Sequence, residues 1–206
     1  MDIRSFLAFE LPPGMAGPLS DAHDRFRSCD LDVRWVKKEN IHLTVVFLGS
    51  VPEDDIEKIA FSADRICRRH SPFEMRLDGA GIFPGRGNPR VIWIGLNGDL
   101  ERMGRFRDEI QEILIPFGVR REKRAFRPHL TIGRFRKACR PGKNLDDALS
   151  RHMGVAGPTC MLDKLVFFRS ELCPQGAKYT SLFSWPLGHS NPDMLHRVKK
   201  ICRSTD

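Results

Sequence analysis

Two phrases in this chain carry residue types suited to moving protons. "HLTVVFLG" spans residues 42 to 49 and "HLTIGRFR" spans 129 to 136. In each, a histidine opens a run of strand-forming residues and a threonine follows two positions later. Side chains alternate faces along a strand, so His42 and Thr44 share one face, as do His129 and Thr131. A strand core calls for Val, Ile, Leu and Phe, and neither imidazole nor hydroxyl serves that need. The chain holds seven histidines and five threonines, from which about 0.2 His-x-Thr pairs are expected by chance. Two occur, both with Leu between. The other histidines (23, 70, 152, 189, 196) stand in no such setting.

Histidine is the side chain whose charge changes nearest neutrality. Two imidazoles in opposite protonation states, on either side of one atom, make a general acid and a general base. The threonine hydroxyls can hydrogen-bond the oxygens of the reacting group. Together this is equipment for an in-line displacement at phosphorus, with one imidazole deprotonating the attacking oxygen and the other protonating the leaving one. No clustered carboxylates stand beside either histidine to hold a metal, so no metal is expected. No cofactor is expected either: "GAGIFPG" does not fit the dinucleotide pattern G-x-G-x-x-G.

The elements that must position these residues follow from pattern. "IRSFLAFEL" (3–11) reads as a strand, stopped by Pro12 and Pro13, which open a helix to about Ser28. "VRWV" (33–36) and the first motif are strands. Residues 52–70 form a helix with Ile56, Ile59, Ala60, Ala63, Ile66 and Cys67 at helical spacing. Strands follow at 73–83, with Gly at a bend, and at 90–96. A second amphipathic helix spans 98–117 through Leu100, Met103, Phe106, Ile110, Ile113 and Leu114. The second motif is a strand (128–135), followed by a helix near 143–152 and strands at 161–168 and 178–187. Strands come singly and in pairs without strict βαβ alternation, which predicts an α+β fold with two largely antiparallel sheets and flanking helices. Each half of the chain has one amphipathic helix and one His-Leu-Thr strand, which predicts two similar lobes. One bilobal domain over 1–188 and a basic, weakly ordered tail over 189–206 complete the expectation.

Composition sets the outer limits. The chain has 206 residues, with 41% apolar and 29% charged, in the ordinary range for a globular protein. A net charge of +8 favours anionic partners. From Arg120 to Arg140 nine Lys and Arg face a single acid, Glu122, and the second motif lies inside that stretch. The six cysteines show no metal-ligand spacing and read as reduced thiols of a cytoplasmic protein. No signal segment is evident, and no stretch approaches the ~18 apolar residues of a membrane span, so no membrane partner is expected. A monomer is expected, since no unpaired hydrophobic surface announces itself.

Softer binding candidates are Arg134 and Arg136, which share strand parity with each other but not with His129 and Thr131 unless a bulge near Gly133 reorients them. Phe47 could stack a base. Trp35 and Phe83 read as packing residues.

The motif-bearing phrases carry a resemblance. Two His-x-Thr-hydrophobic motifs, at 42–45 and 129–132, resemble the signature of the two-histidine (2H) phosphoesterase superfamily. "RWVKKENIHLTVVFLG", "GIFPGRGNPRVIWIGL", "FRPHLTIGRFR" and "LVFFRSELCPQGAKYTSLFSWPL" look like the RNA 2′,3′-cyclic phosphodiesterase family, once described as 2′-5′ RNA ligases. The resemblance covers about residues 2–188. It implies a bilobal fold with a pseudo-two-fold axis and a central cleft, and hydrolysis of RNA or nucleotide 2′,3′-cyclic phosphates to 2′-phosphomonoesters. It makes His42 the proton donor, His129 the proton acceptor, and Thr44 and Thr131 the phosphate-binding residues. The alternatives are 2′-5′ ligase or 2′-5′ phosphodiesterase activity at the same site, and an RNA-binding module without turnover.

Overall fold

The computed structural model describes residues 2–136, 143–174 and 176–189. The tail from residue 190 onward lies outside the described residues, as do Lys137, Cys139 and Arg140 of the basic stretch. Pro12 and Pro13 act as the sequence predicts, because proline lacks the N–H of a sheet ladder and its fixed φ suits a helix start. Strand β1 runs Asp2–Phe9 and helix α1 runs Pro13–Arg27. Helix α2 (Ile56–Cys67) buries all six apolar residues picked out by spacing. Helix α3 (Leu100–Leu114) buries Met103, Phe106, Ile110 and Leu114. Leu100, at the first position of α3, is exposed instead. Helix α4 (Lys143–His152) has the predicted bounds.

Among the described residues nine strands form one antiparallel sheet. They are β1, β2 (Val33–Trp35), β3 (Leu43–Pro52), β4 (Phe73–Phe83), β5 (Val91–Gly98), β6 (His129–Phe135), β7 (Cys160–Leu162), β8 (Lys164–Cys173) and β9 (Gly176–Pro186). Their order is β7-β4-β5-β6-β3-β1-β8-β9, with β2 paired to β6. The centre of the sheet is a narrow seam, since β3 and β6 share the single pair Leu43–Leu130. On one side, α2 and α3 pack together against β9 and β3. On the other, α1 and α4 pack together against β4. The expected pair of sheets is therefore two halves of one, and each half with its helices is a lobe.

The lobes interleave along the chain. Strand β1 belongs to the lobe of β3, β8 and β9, yet α1, which follows it, packs on the other lobe. The run "MLDKLVFF", expected as one strand over 161–168, is two. Asp163 separates β7, which pairs with β4, from β8, which pairs with β1. The chain changes half-sheet at that residue, and a continuous apolar run gives no sign of such a crossing. Among the described residues no helix is long and apolar enough to cross a membrane.

Candidate active site

The seam brings the two motifs together. Leu43 and Leu130 are fully buried at their shared pairing, so their neighbours lie on the opposite face. There His42, Thr44, His129 and Thr131 are all partly exposed. The antiparallel register set by Leu43–Leu130 puts His42 across from Thr131 and Thr44 across from His129. The two histidines are then diagonal neighbours, a separation of about 7–8 Å in regular pairing. The two imidazoles take one diagonal of this face and the two hydroxyls the other.

Both strands break their alternation immediately after the threonine. Along β1 and β3, Ala8 faces Thr44 and Leu7 faces Val46, leaving Val45 as an extra residue. Along β5 and β6, Trp93 faces Thr131 and Ile92 faces Gly133, leaving Ile132 extra. A one-residue bulge reverses the face of everything beyond it. Each motif thus has two consecutive buried residues, Val45 and Val46 or Ile132 and Gly133, and the fifth residue after each histidine returns to the imidazole face. Those residues are Phe47, 63% exposed, and Arg134. The bulge considered for Gly133 is therefore present, and it has a counterpart in β3. Arg134 carries a positive charge that acts on both imidazoles. Arg34, opposite Arg134 in the β2–β6 register, shares its face. Arg136, past the end of β6, is drawn aside instead, with Nε 3.9 Å from Asp32 and its N–H donating to the Asp32 carbonyl.

The imidazoles are held alike. Nδ1–H of His42 donates to the carbonyl of Asn40 at 2.9 Å, and Nδ1–H of His129 to the carbonyl of Arg127 at 2.7 Å. A carbonyl only accepts, so Nδ1 carries the proton in both rings and Nε2 is the nitrogen left for chemistry. Phe6 stacks on His42 with ring centres 4.7 Å apart, and Tyr179 meets it edge-on at 5.2 Å. Phe83 stands edge-on to His129 at 5.0 Å and lies 5.0 Å from Trp93, so the expected packing residue packs on the imidazole itself. Trp35 packs against the core, as expected, and faces Gly133 of the second motif strand in the β2–β6 register. Burial pushes the pKa of His42 down to about 4, the Asn40 carbonyl opposing and the Arg134 charge adding to the shift. Burial likewise lowers His129, again with the Arg127 carbonyl opposing and Arg134 adding. Among the described residues, no three His, Cys, Asp or Glu side chains gather as metal ligands.

A family model described as LigT-like phosphoesterase matches the chain twice, over residues 9–93 and 94–179, one copy for each His-x-Thr strand. The chain belongs to the LigT-like phosphoesterase family. The RNA 2′,3′-cyclic phosphodiesterase of Methanothermobacter thermautotrophicus is 32% identical over 88% of this chain and 97% of its own length. The protein of the same name from Aeropyrum pernix is 33% identical over 82% of this chain and 94% of its own. Among solved structures, TT0787 of Thermus thermophilus superposes with a TM-score of 0.76 at 26% identity, covering 92% of this chain and 100% of that one. E. coli LigT complexed with 3′-AMP shares the fold, with a TM-score of 0.72 at 23% identity and coverage of 92% and 100%.

In this LigT-like phosphoesterase several residues beside the imidazoles escape sequence reasoning. Asn40 anchors the turn before His42, its Nδ2 donating to the Ala177 carbonyl of β9 at 2.9 Å. Its position two residues before the histidine is a signal only in hindsight, because the contact to the ring runs through the backbone. The same is true of Arg127. Phe6 and Tyr179 come from strands 36 residues before and 137 residues after His42, so nothing local points to them. Arg34 is marked only by the β2–β6 register.

Proposed function

We propose that this protein hydrolyses the 2′,3′-cyclic phosphate of RNA ends or nucleotides to a 2′-phosphomonoester, using His42 and His129 without a metal ion. The observation that carries the reading is the seam, which sets two His-x-Thr motifs side by side in antiparallel register. The names of the relatives support the substrate class. Water attacks phosphorus while Nε2 of His129 takes its proton. The bond from phosphorus to the 3′ oxygen breaks on the opposite side, and Nε2–H of His42 protonates the departing oxygen. His129 ends protonated and His42 neutral, and exchange with solvent restores both. Thr44 and Thr131 hydrogen-bond the non-bridging oxygens, and the Arg134 guanidinium offsets their charge. Phe47 offers a face to the terminal base. A neutral His42 in the free protein gains its proton when the substrate anion balances Arg134, since a nearby negative charge favours the imidazolium.

Unpaired cysteines at 29, 67, 160 and 173 suit a reducing, cytoplasmic setting. The reaction is tested with a 2′,3′-cyclic nucleotide in the presence of EDTA, resolving 2′- from 3′-phosphate product. His42→Ala and His129→Ala each lower kcat at least ~10²-fold while leaving the fold intact. Turnover near the wild-type rate in either variant, or turnover abolished by EDTA, overturns the mechanism.

A further inference from the structure

The basic side chains ahead of the second motif have no part in these proton transfers, yet the backbone that carries them is firmly anchored. Residues 120–127 are irregular chain leading into β6, and they expose Arg120, Arg121, Lys123, Arg124 and Arg127 around the single carboxylate of Glu122. Cations strung so closely repel one another, which by itself favours a loose loop. Two buried polar side chains of α3 prevent that. Arg107, 5% exposed, donates to the carbonyl of Glu122 at 3.2 Å and to that of Arg124 at 2.7 Å, and its guanidinium lies 5.3 Å over the ring of Phe126. Gln111, 2% exposed, accepts the N–H of Glu122 at 2.6 Å. Burying a guanidinium is costly unless its donors are matched, and most of its partners here are main-chain atoms of the loop.

The surface charges, by contrast, are weakly paired. Arg121 lies 3.5 Å from Glu112 and Arg124 3.7 Å from Glu122, both in solvent. Arg120, Lys123 and Arg127 have no carboxylate partner among the described residues. Between this ridge and α3 lies an open hollow of about 490 Å³. The ridge ends at the candidate active site, because the Arg127 carbonyl accepts the Nδ1 proton of His129. A small anion needs donors that converge on a point. Here the cations are spread along a chain that advances up to ~3.3–3.6 Å per residue, which fits a polymer of phosphates.

We infer that residues 120–127 form a binding track for a single RNA strand, taking the phosphates that lie 5′ of the terminal nucleotide held between the histidines. This rests on the proposed reaction and makes the preferred substrate an oligonucleotide rather than a mononucleotide. The test compares kcat/KM for a hexanucleotide ending in a 2′,3′-cyclic phosphate with that for the cyclic mononucleotide, over a range of salt. In the wild type the hexanucleotide is preferred, and the preference declines as salt rises. A triple variant, R121Q/K123Q/R124Q, lowers the ratio of the two values by about 10²-fold at 0.1 M salt, given a slope of about −0.7 per phosphate contact on single strands. The charge-matched control R25Q/R27Q/R65Q, on α1 and α2, keeps the wild-type ratio. An unchanged ratio in the first variant, or an equal fall in the control, overturns the track. If the wild type turns over neither substrate, the proposed reaction fails by itself. Fluorescence anisotropy with a labelled hexanucleotide 3′-phosphate then decides the track: the log–log salt slope drops by about 2 in the first variant, or the track is refuted.

Discussion

The proton on His42 gives the most direct check on how burial and the Arg134 charge govern this site. In the free protein its pKa falls from 6.5 to about 4. At 1.36 kcal/mol per unit, the surroundings disfavour the imidazolium by at most about 3 kcal/mol. An oxyanion bound between the histidines reverses part of that by placing negative charge near Nε2 and pairing with Arg134. The coupling is reciprocal, so protonating His42 strengthens anion binding by the factor with which the anion strengthens protonation. Sulfate is the suitable probe, since its charge is constant across the range. NMR titration of the ring protons, assigned with His42→Gln and His129→Gln, gives a His42 midpoint near 4 without sulfate and a higher one with it. Between the two midpoints the Kd for sulfate improves up to ~10-fold for each unit that pH falls.

The same shift acts on stability. The unfolded chain binds the His42 proton near pH 6.5 and the folded chain only near 4, so stability is lost as pH falls through that window. Urea unfolding of His42→Gln lacks that part of the loss, again at most about 3 kcal/mol. A free-protein midpoint near 6.5, or a sulfate Kd that is flat from pH 7 to 4, refutes the control of His42 by burial and the Arg134 charge.

Three further variants probe the supports. Asn40→Ala removes the 2.9 Å bond to Ala177 and frees the carbonyl that orients His42; kcat falls about 10-fold with little change in KM, and Asn40→Asp, which cannot donate that bond, does not restore it. Gly133→Ala drives a Cβ into Val33 Cγ1, which costs about 1–3 kcal/mol in urea unfolding and raises KM as Arg134 shifts. Phe6→Leu thins the stack over His42, costs about 1 kcal/mol, and moves the His42 midpoint upward in the same NMR titration.

The candidate site was more legible in the sequence than its scaffold. Two imidazoles and two hydroxyls at spacing two announced themselves, because polar groups opening apolar strands are costly to place without a use. The helices were legible because a 3.6-residue period is redundant over three or four turns, as in α2 and α3. A bulge leaves a fainter trace. "VVF" and "IGR" hide two buried residues in succession, and only the pairing partners on β1 and β5 show where the count slips. Strand pairing was opaque for the same reason. Nothing local to "MLDKLVFF" says that Leu162 meets Phe73 while Leu165 meets Phe9. The aromatic neighbours of His42 were out of reach because they arrive from both ends of the chain.

The interleaving of the lobes has a further consequence. The two family repeats meet between residues 93 and 94, inside β5. A fragment made of either repeat alone would own half of each core: it would carry α2 without β9, or α4 without α1. Either fragment leaves apolar helix faces uncovered, and the surfaces that cover them belong to the other fragment. Parting the chain at that point is therefore expected to leave two pieces that fold only when mixed.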